Sequence, residues 1–250
     1  MIDDNNDFKK LALSHYGYDG GNLKSSLWIS GLEWGVGITP ERLSEDIQKG
    51  ELSKPLCWDK FEDRENYLKV SFDRVWMKIF INALGHETKE YRNIIKDPYN
   101  ALASNGIAMK FNLYPIAFKN TASSNWSWDF YRCTGFPTKE LYIAWVQKNR
   151  FLFFNDLVKE YNPKIILCSG ISYYKDYLMA FGGIEALFSE PEDIVTIAGN
   201  KQMFVYASKL SRQARICIVP FFGGISGIKS DEECRIIGNY IRSGILEKLS

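Results

Sequence analysis

Four short apolar runs divide the chain, and each stops at a cluster of small, polar or aromatic residues. Leu27, Trp28 and Ile29 run into GLEWG at residues 31–35, residues 165–168 end at Ser169-Gly170, and residues 216–219 end at PFFGG. The fourth run alternates, with Ile107, Met109, Phe111 and Leu113 on one face and Ala108, Lys110 and Asn112 on the other, before Tyr114-Pro115. Apolar runs bounded by turn residues, and strict period two, predict strands. Between them the period lengthens. Phe72, Val75, Trp76, Ile79, Phe80, Ala83 and Leu84 recur at helical spacing after Ser71 and before Gly85, predicting a helix with a glycine stop. Thr138 caps a second helix carrying Leu141, Trp145 and Leu152 toward Tyr161, and residues 173–188 read as helical with Gly182-Gly183 interrupting. Ser230 and Glu233 form a capping box for a terminal helix with Cys234, Ile237, Ile241 and Ile245 on its buried face. Residues 194–197 and 203–206, joined through Gly199-Asn200, predict a hairpin.

Helical crossovers between apolar strands imply an α/β fold. The expectation is a three-layer α/β/α domain around a mostly parallel four-stranded sheet, with the hairpin near residues 194–206 added. The four loops GLEWG, LYPIAFKN, SGIS and PFFGGISG would then gather at one edge of the sheet, where α/β proteins bind ligands. No linker divides residues 1–250, so a single domain is expected. Residues 1–24 read as an N-terminal extension with a short helix and a turn through Gly20-Gly21. Thr39-Pro40-Glu41 opens a helix, and residues 44–69 read as irregular or partly helical. Residues 118–137 form a long loop bearing Trp126, Trp128, Phe130 and Tyr131. Loops of that length are functional or disordered, and aromatic residues argue against disorder.

Composition changes this picture little. A chain of 250 residues can bury a sizeable core, and a net charge of +1 gives no global basis for nucleic-acid binding. Residues 201–215 carry Lys201, Lys209, Arg212 and Arg215 without an acid. They form either a phosphate-contacting strip or a solvated edge. The five cysteines lie far apart with no C-x-x-C pair, so neither a zinc nor an iron–sulfur site is expected, and free thiols suit the cytoplasm. The start is acidic and polar, unlike a signal peptide, and no apolar run approaches the length of a membrane span. No cofactor is implied.

Glu33 is the one acid in the four loops. A carboxylate there could orient water and offset positive charge developing on a sugar, or it could be a solvated residue of a surface turn. Asn112 offers a donor and an acceptor to a base edge, or bonds its local backbone. Trp34, Phe72 and Phe221 could stack on a flat base, although a core position is the plainer role for Phe72.

In this order the segments resemble the uracil-DNA glycosylase superfamily. GLEWG stands where that family has G-x-[DN]-P-[GY], with Glu33 at the water-positioning Asp or Asn, and KFNLYP resembles the second motif, with Asn112 at the base-reading Asn. PTKE and PKIILCSG resemble a later helix start and strand, and PFFGGISG falls at the final H-P-S segment. The resemblance spans roughly residues 27–241. It implies hydrolysis of the N-glycosidic bond of a modified or deaminated base, with Glu33 positioning the water. Gly31, Leu32, Trp34, Gly35, Asn112, Phe221, Phe222, Gly223 and Ser226 would surround the base, and Ser169, Lys209 and Arg212 would contact nucleic acid. The motif histidine is absent, Phe221 or Phe222 standing in its place; His15 and His86 fall outside the motifs. Backbone N–H groups around Gly223-Gly224, or the Ser226 hydroxyl, are left as donors to a departing base. The alternatives are a nucleobase-binding or nucleic-acid-binding module without the chemistry, and an α/β domain with an unrelated pocket.

Overall fold

A computed structural model describes residues 6–33, 37–59, 65–118, 122–224 and 226–247. Among them, seven strands form one sheet. They are β1 (Tyr18–Gly21), β2 (Leu27–Gly31), β3 (Ala108–Asn112), β4 (Ile165–Ser169), β5 (Asp193–Ala198), β6 (Lys201–Ala207) and β7 (Arg215–Val219), in the order β1-β3-β2-β4-β7-β6-β5. The pairings β3/β2, β2/β4 and β4/β7 are parallel, while β1/β3, β7/β6 and β6/β5 are antiparallel. The four apolar runs therefore lie side by side at the centre, but the sheet is mixed and seven-stranded rather than mostly parallel and four-stranded. The hairpin is not an addition to the sheet. Its second strand pairs directly with β7 and makes it one wing of the sheet.

The other wing, β1, falls where a turn was expected. Gly20 and Gly21 have φ of +132° and +117°, and a Cβ on Gly21 would meet the Ala108 carbonyl oxygen at 2.3 Å. The glycine pair lets this strand lie close against β3 rather than reversing the chain. Residues 18–21 thus belong to the sheet.

Seven α-helices are described: α1 (Asn6–Ala12), α2 (Pro40–Lys49), α3 (Ser71–Ala83), α4 (Trp128–Thr134), α5 (Lys139–Tyr161), α6 (Tyr174–Gly182) and α7 (Asp231–Tyr240). Strand residues alternate between two cores. Trp28, Phe111, Ile166 and Ile218 pack with Phe8, Leu43, Tyr142, Phe154 and Phe181 from α1, α2, α5 and α6. Ile29, Leu167, Cys217 and Val219 pack with Trp76, Ile79, Phe80 and Ile237 from α3 and α7. Helices thus cover both faces. The expected caps are present: Thr39 on α2, Thr138 on α5, and the reciprocal Ser230/Glu233 box on α7. The aromatic loop holds α4, capped by Ser127, and Trp126 stacks on Tyr142 at 5.0 Å.

Arg150, inside the first core, is fully buried. Its Nε donates to Leu113 O (2.9 Å), Nη1 to Ala12 O and Ser14 O, and Nη2 to Tyr16 O (2.7 Å). The guanidinium ties the chain entering β1 and the chain leaving β3 to the middle of α5. Replacing it by Met strands several buried carbonyls, each costing about 1–3 kcal/mol. Arg150→Met is expected to lose at least about 3 kcal/mol of unfolding free energy, measured by urea denaturation against the parent protein.

Candidate active site

After β2 the chain crosses to β3 on one side, and β4 then joins β2 on the other. Such a reversal of strand order opens a crevice at the carboxyl ends of the strands. A cleft of about 1230 Å³ lies there. Gly31, Leu32 and Glu33 reach it from the exit of β2, Asn112 from the end of β3, Ser169 from β4 and Phe221 from beyond β7. Each of the four expected loops contributes. Trp58, Phe72, Phe118 and Tyr173 add aromatic walls.

Glu33 is set into the wall, its side chain 10% exposed. Among the described residues its Oε1 has no hydrogen-bond partner, and it lies 3.9 Å from Lys139 Nζ, at the first position of α5. Burial raises the Glu33 carboxyl from the ordinary 4.5 to about 7, with Lys139 pulling the other way. Lys139 is 3% exposed and lies over the Phe118 ring at 4.1 Å. Burial lowers its amine, against the opposing charges of Glu33 and Glu140. An acid that titrates near neutrality in a cleft can hold or release a proton at working pH.

The cleft is also lined by a second buried charged group, which the sequence did not single out. Lys110 Nζ sits 2.5 Å from Asp73 Oδ1 and 3.1 Å from Asp19 Oδ2, with Trp76 Nε1 also donating to Asp73 (2.8 Å). Burial opposes the charge on Lys110, but the two carboxylates hold it above the ordinary lysine value. One signal was available: Lys110 occupies a strand face that must itself be covered in a three-layer fold, so it needs buried acidic partners. Asn112, two residues on, donates from Nδ2 to Gly17 O (3.3 Å) and Asp19 Oδ2 (3.5 Å), both long contacts. A Cβ on Gly31 would meet Asn112 Oδ1 at 2.7 Å. Gly31 thus makes room for this amide, at the register pair Gly31↔Asn112 of β2 and β3.

The remaining predicted residues divide. Phe221 is 46% exposed and forms part of the wall, edge-on to Tyr173 at 6.0 Å. Phe222 points the other way, into the second core against Phe72 (4.9 Å), and its N–H donates to Ser169 Oγ (2.9 Å). Ser169 is fully buried, so its expected nucleic-acid contact gives way to this internal bond. Gly223 donates its N–H to Ile228 O (2.7 Å), and neither Gly223 nor the exposed Ser226 lines the cleft. The expected donors to a departing base are therefore not at this site. Lys209 and Arg212 precede β7, at the sheet edge opposite the cleft, because β7 runs parallel to β4 and reaches the cleft only at its far end. Their neighbours Lys201 and Arg215 are paired with Glu233 (2.5 Å) and Glu192 (2.6 Å). The strip is a solvated edge. Trp34 and Gly35 lie outside the described residues.

The chain matches no protein-family model, no curated protein and no solved structure. What the cleft can do follows from its own residues. Among the described residues, no group of three or more His, Cys, Asp or Glu could hold a metal ion. No described helix is long and apolar enough to cross a membrane.

A carboxyl raised in the folded state binds its proton more tightly there than in the unfolded chain, so its contribution to stability is greatest at low pH and fades as pH rises through about 7. Glu33→Gln removes that dependence. Between pH 4.5 and 7 the parent protein should lose up to about 3 kcal/mol relative to the variant, read as the difference between their stability–pH curves from urea melts.

Proposed function

We propose that this protein is a glycosylase-like hydrolase that cleaves the N-glycosidic bond of a modified base or nucleoside, with Glu33 preparing the attacking water. The observation that carries this reading is the Glu33 carboxyl: recessed, titrating near 7, and facing an aromatic-walled cleft at the carboxyl edge of the sheet. Cleaving the bond between base and sugar passes through an oxocarbenium-like state. Ionised Glu33 would take a proton from water and offset the positive charge at the anomeric carbon. Phe221, exposed on the wall, would stack on the base. The order of segments resembling the uracil-DNA glycosylase superfamily agrees with this use of the edge, and a three-layer glycosylase-like domain is the fold proposed for it.

The leaving base receives less help. The Phe222 and Gly223 N–H groups are engaged within the protein, and losing one donor to a developing anion typically costs about 2.7–4 kcal/mol of barrier. An N-alkylated base that carries positive charge departs neutral and does not need that donor. Such substrates should outrun uracil. A second reading, a module that binds a nucleobase without cleaving it, is favoured by the same engagement of the donors.

The test is a single-turnover assay over deaminated and N-alkylated bases, offered as nucleosides and in single- and double-stranded DNA. Glu33→Gln should slow product formation by about 10²–10⁴-fold, with alkylated substrates the fastest in the parent protein. Equal rates for the two proteins would remove Glu33 from the mechanism. Binding of a base with no product on any substrate would establish the module. Phe221→Ala should weaken binding of the base by about 1–3 kcal/mol, measured by titration calorimetry.

A further inference from the structure

Lys139 is the buried group that the proposed chemistry leaves without a task. A lysine at the first position of a helix meets the positive end of the helix dipole and ordinarily turns toward water. Here it turns inward and is 3% exposed, at the start of a 23-residue helix. Its Nζ lies 3.9 Å from Glu33 Oε1, and among the described residues neither atom has a hydrogen-bond partner. Both atoms are closed off from solvent, whereas Glu33 as a residue lines the cleft. The Phe118 ring, 4.1 Å from Nζ, closes the other side of the cation and contributes a cation–π contact.

We propose that Lys139 is the positioning residue for Glu33, holding Oε1 from behind so that the other carboxyl oxygen faces the cleft and the charge of Glu33 is governed from the first turn of α5. This inference rests on Glu33 as the acting group. Glu33 itself sits on a loop, and a functional side chain on a loop needs a partner on a rigid element to keep its geometry. Lys139 is that partner: Thr138 caps the helix through the Leu141 N–H (3.3 Å), which fixes the backbone on which the lysine stands. Two other groups act on the pair. Tyr142, one turn along the same buried face, accepts from the Ile116 N–H (3.2 Å) and is pushed well above the ordinary tyrosine value by burial, so it stays uncharged. Glu140 is exposed, bonds Ser123 and adds a weak attraction to Lys139. Removing Lys139 therefore leaves Glu33 with no opposite charge close by among the described residues.

The experiment follows the Glu33 carboxyl by carbon-13 NMR through a pH titration of the full chain, with the parent protein, Lys139→Met and Lys139→Arg. Losing an opposite charge at this range moves a carboxylate by about one pH unit or more, so the Glu33 midpoint should rise by that amount in Lys139→Met and stay near the parent value in Lys139→Arg. Linkage makes the effect reciprocal: in Glu33→Gln, where Lys139 is kept, the lysine's own midpoint should fall. That second titration decides the matter if Lys139→Met does not fold. A Glu33 midpoint unmoved by Lys139→Met, or a Lys139 midpoint unmoved by Glu33→Gln, would overturn the proposal. Neither titration requires turnover, so a protein that cleaves no substrate would end the hydrolase reading and leave these outcomes as they stand. Where turnover occurs, the acidic limb of the rate–pH profile should move upward with the Glu33 midpoint in Lys139→Met, which a lysine serving only to pack would not cause.

Discussion

One buried face of α5 holds this molecule together. Lys139, Tyr142, Val146 and Arg150 recur at spacings of three and four and are all buried, so they lie along one stripe. At one end is the amine behind Glu33; about 16 Å further along the axis is the guanidinium that gathers the carbonyls of Ala12, Ser14, Tyr16 and Leu113. Among the described residues no carboxylate pairs with Arg150, so its charge is met by backbone dipoles and by the rings of Tyr18 and Phe154. That arrangement brings the segment entering β1 against the exit of β3, which sets Asp19 beside Asn112. The same helix thus supports both walls of the cleft.

The cleft combines two ways of burying charge. Lys110, with Asp73 and Asp19 at 2.5 and 3.1 Å, is a satisfied cluster, closed by hydrogen bonds and a Trp76 donor. Glu33 and Lys139 are the opposite case: an acid and an amine near each other without a hydrogen bond between them. Satisfied buried networks rigidify a fold. Unsatisfied ones cost stability, and they concentrate where a protein keeps a group poised for work. On this ground the Glu33 side of the cleft carries the under-satisfied groups and the Lys110 side the satisfied ones.

Adjacent residues can have unrelated fates. Phe221 and Phe222 look alike in the sequence, yet one is a half-exposed wall of the cleft and the other packs on Phe72 in the core. Beyond β7, Phe222 is held by an isolated β-bridge to Ile228 with its ring on the core side, while Phe221 stays beside the cleft. Likewise Gly20-Gly21 reads as a turn because its composition suits one, whereas its neighbour β3 makes it a strand. Neither outcome is local. Each depends on which surface the folded chain brings alongside.

What the sequence determined by itself was the set of central elements and the place of Glu33 at the exit of β2, where it lines the cleft. Period two and period 3.6, caps such as Thr138 and Ser230, and glycine stops act over a few residues, so the strands at residues 27, 108, 165 and 215 and the helices between them were legible. The position of Glu33 was legible too, because a loop at the carboxyl end of a central strand is where such a sheet opens its crevice. The tertiary structure alone decided the mixed seven-stranded sheet, the pairing of Lys110 with Asp73 and Asp19, the place of Lys139 behind Glu33, and the removal of Lys209 and Arg212 to the far edge. Those facts depend on strand order and on contacts between distant residues, 106 positions apart in the Glu33–Lys139 pair and 138 in the Leu27–Ile165 pair of the sheet. Burial and charge pairing at that range follow from topology, and the local pattern around either residue does not carry it.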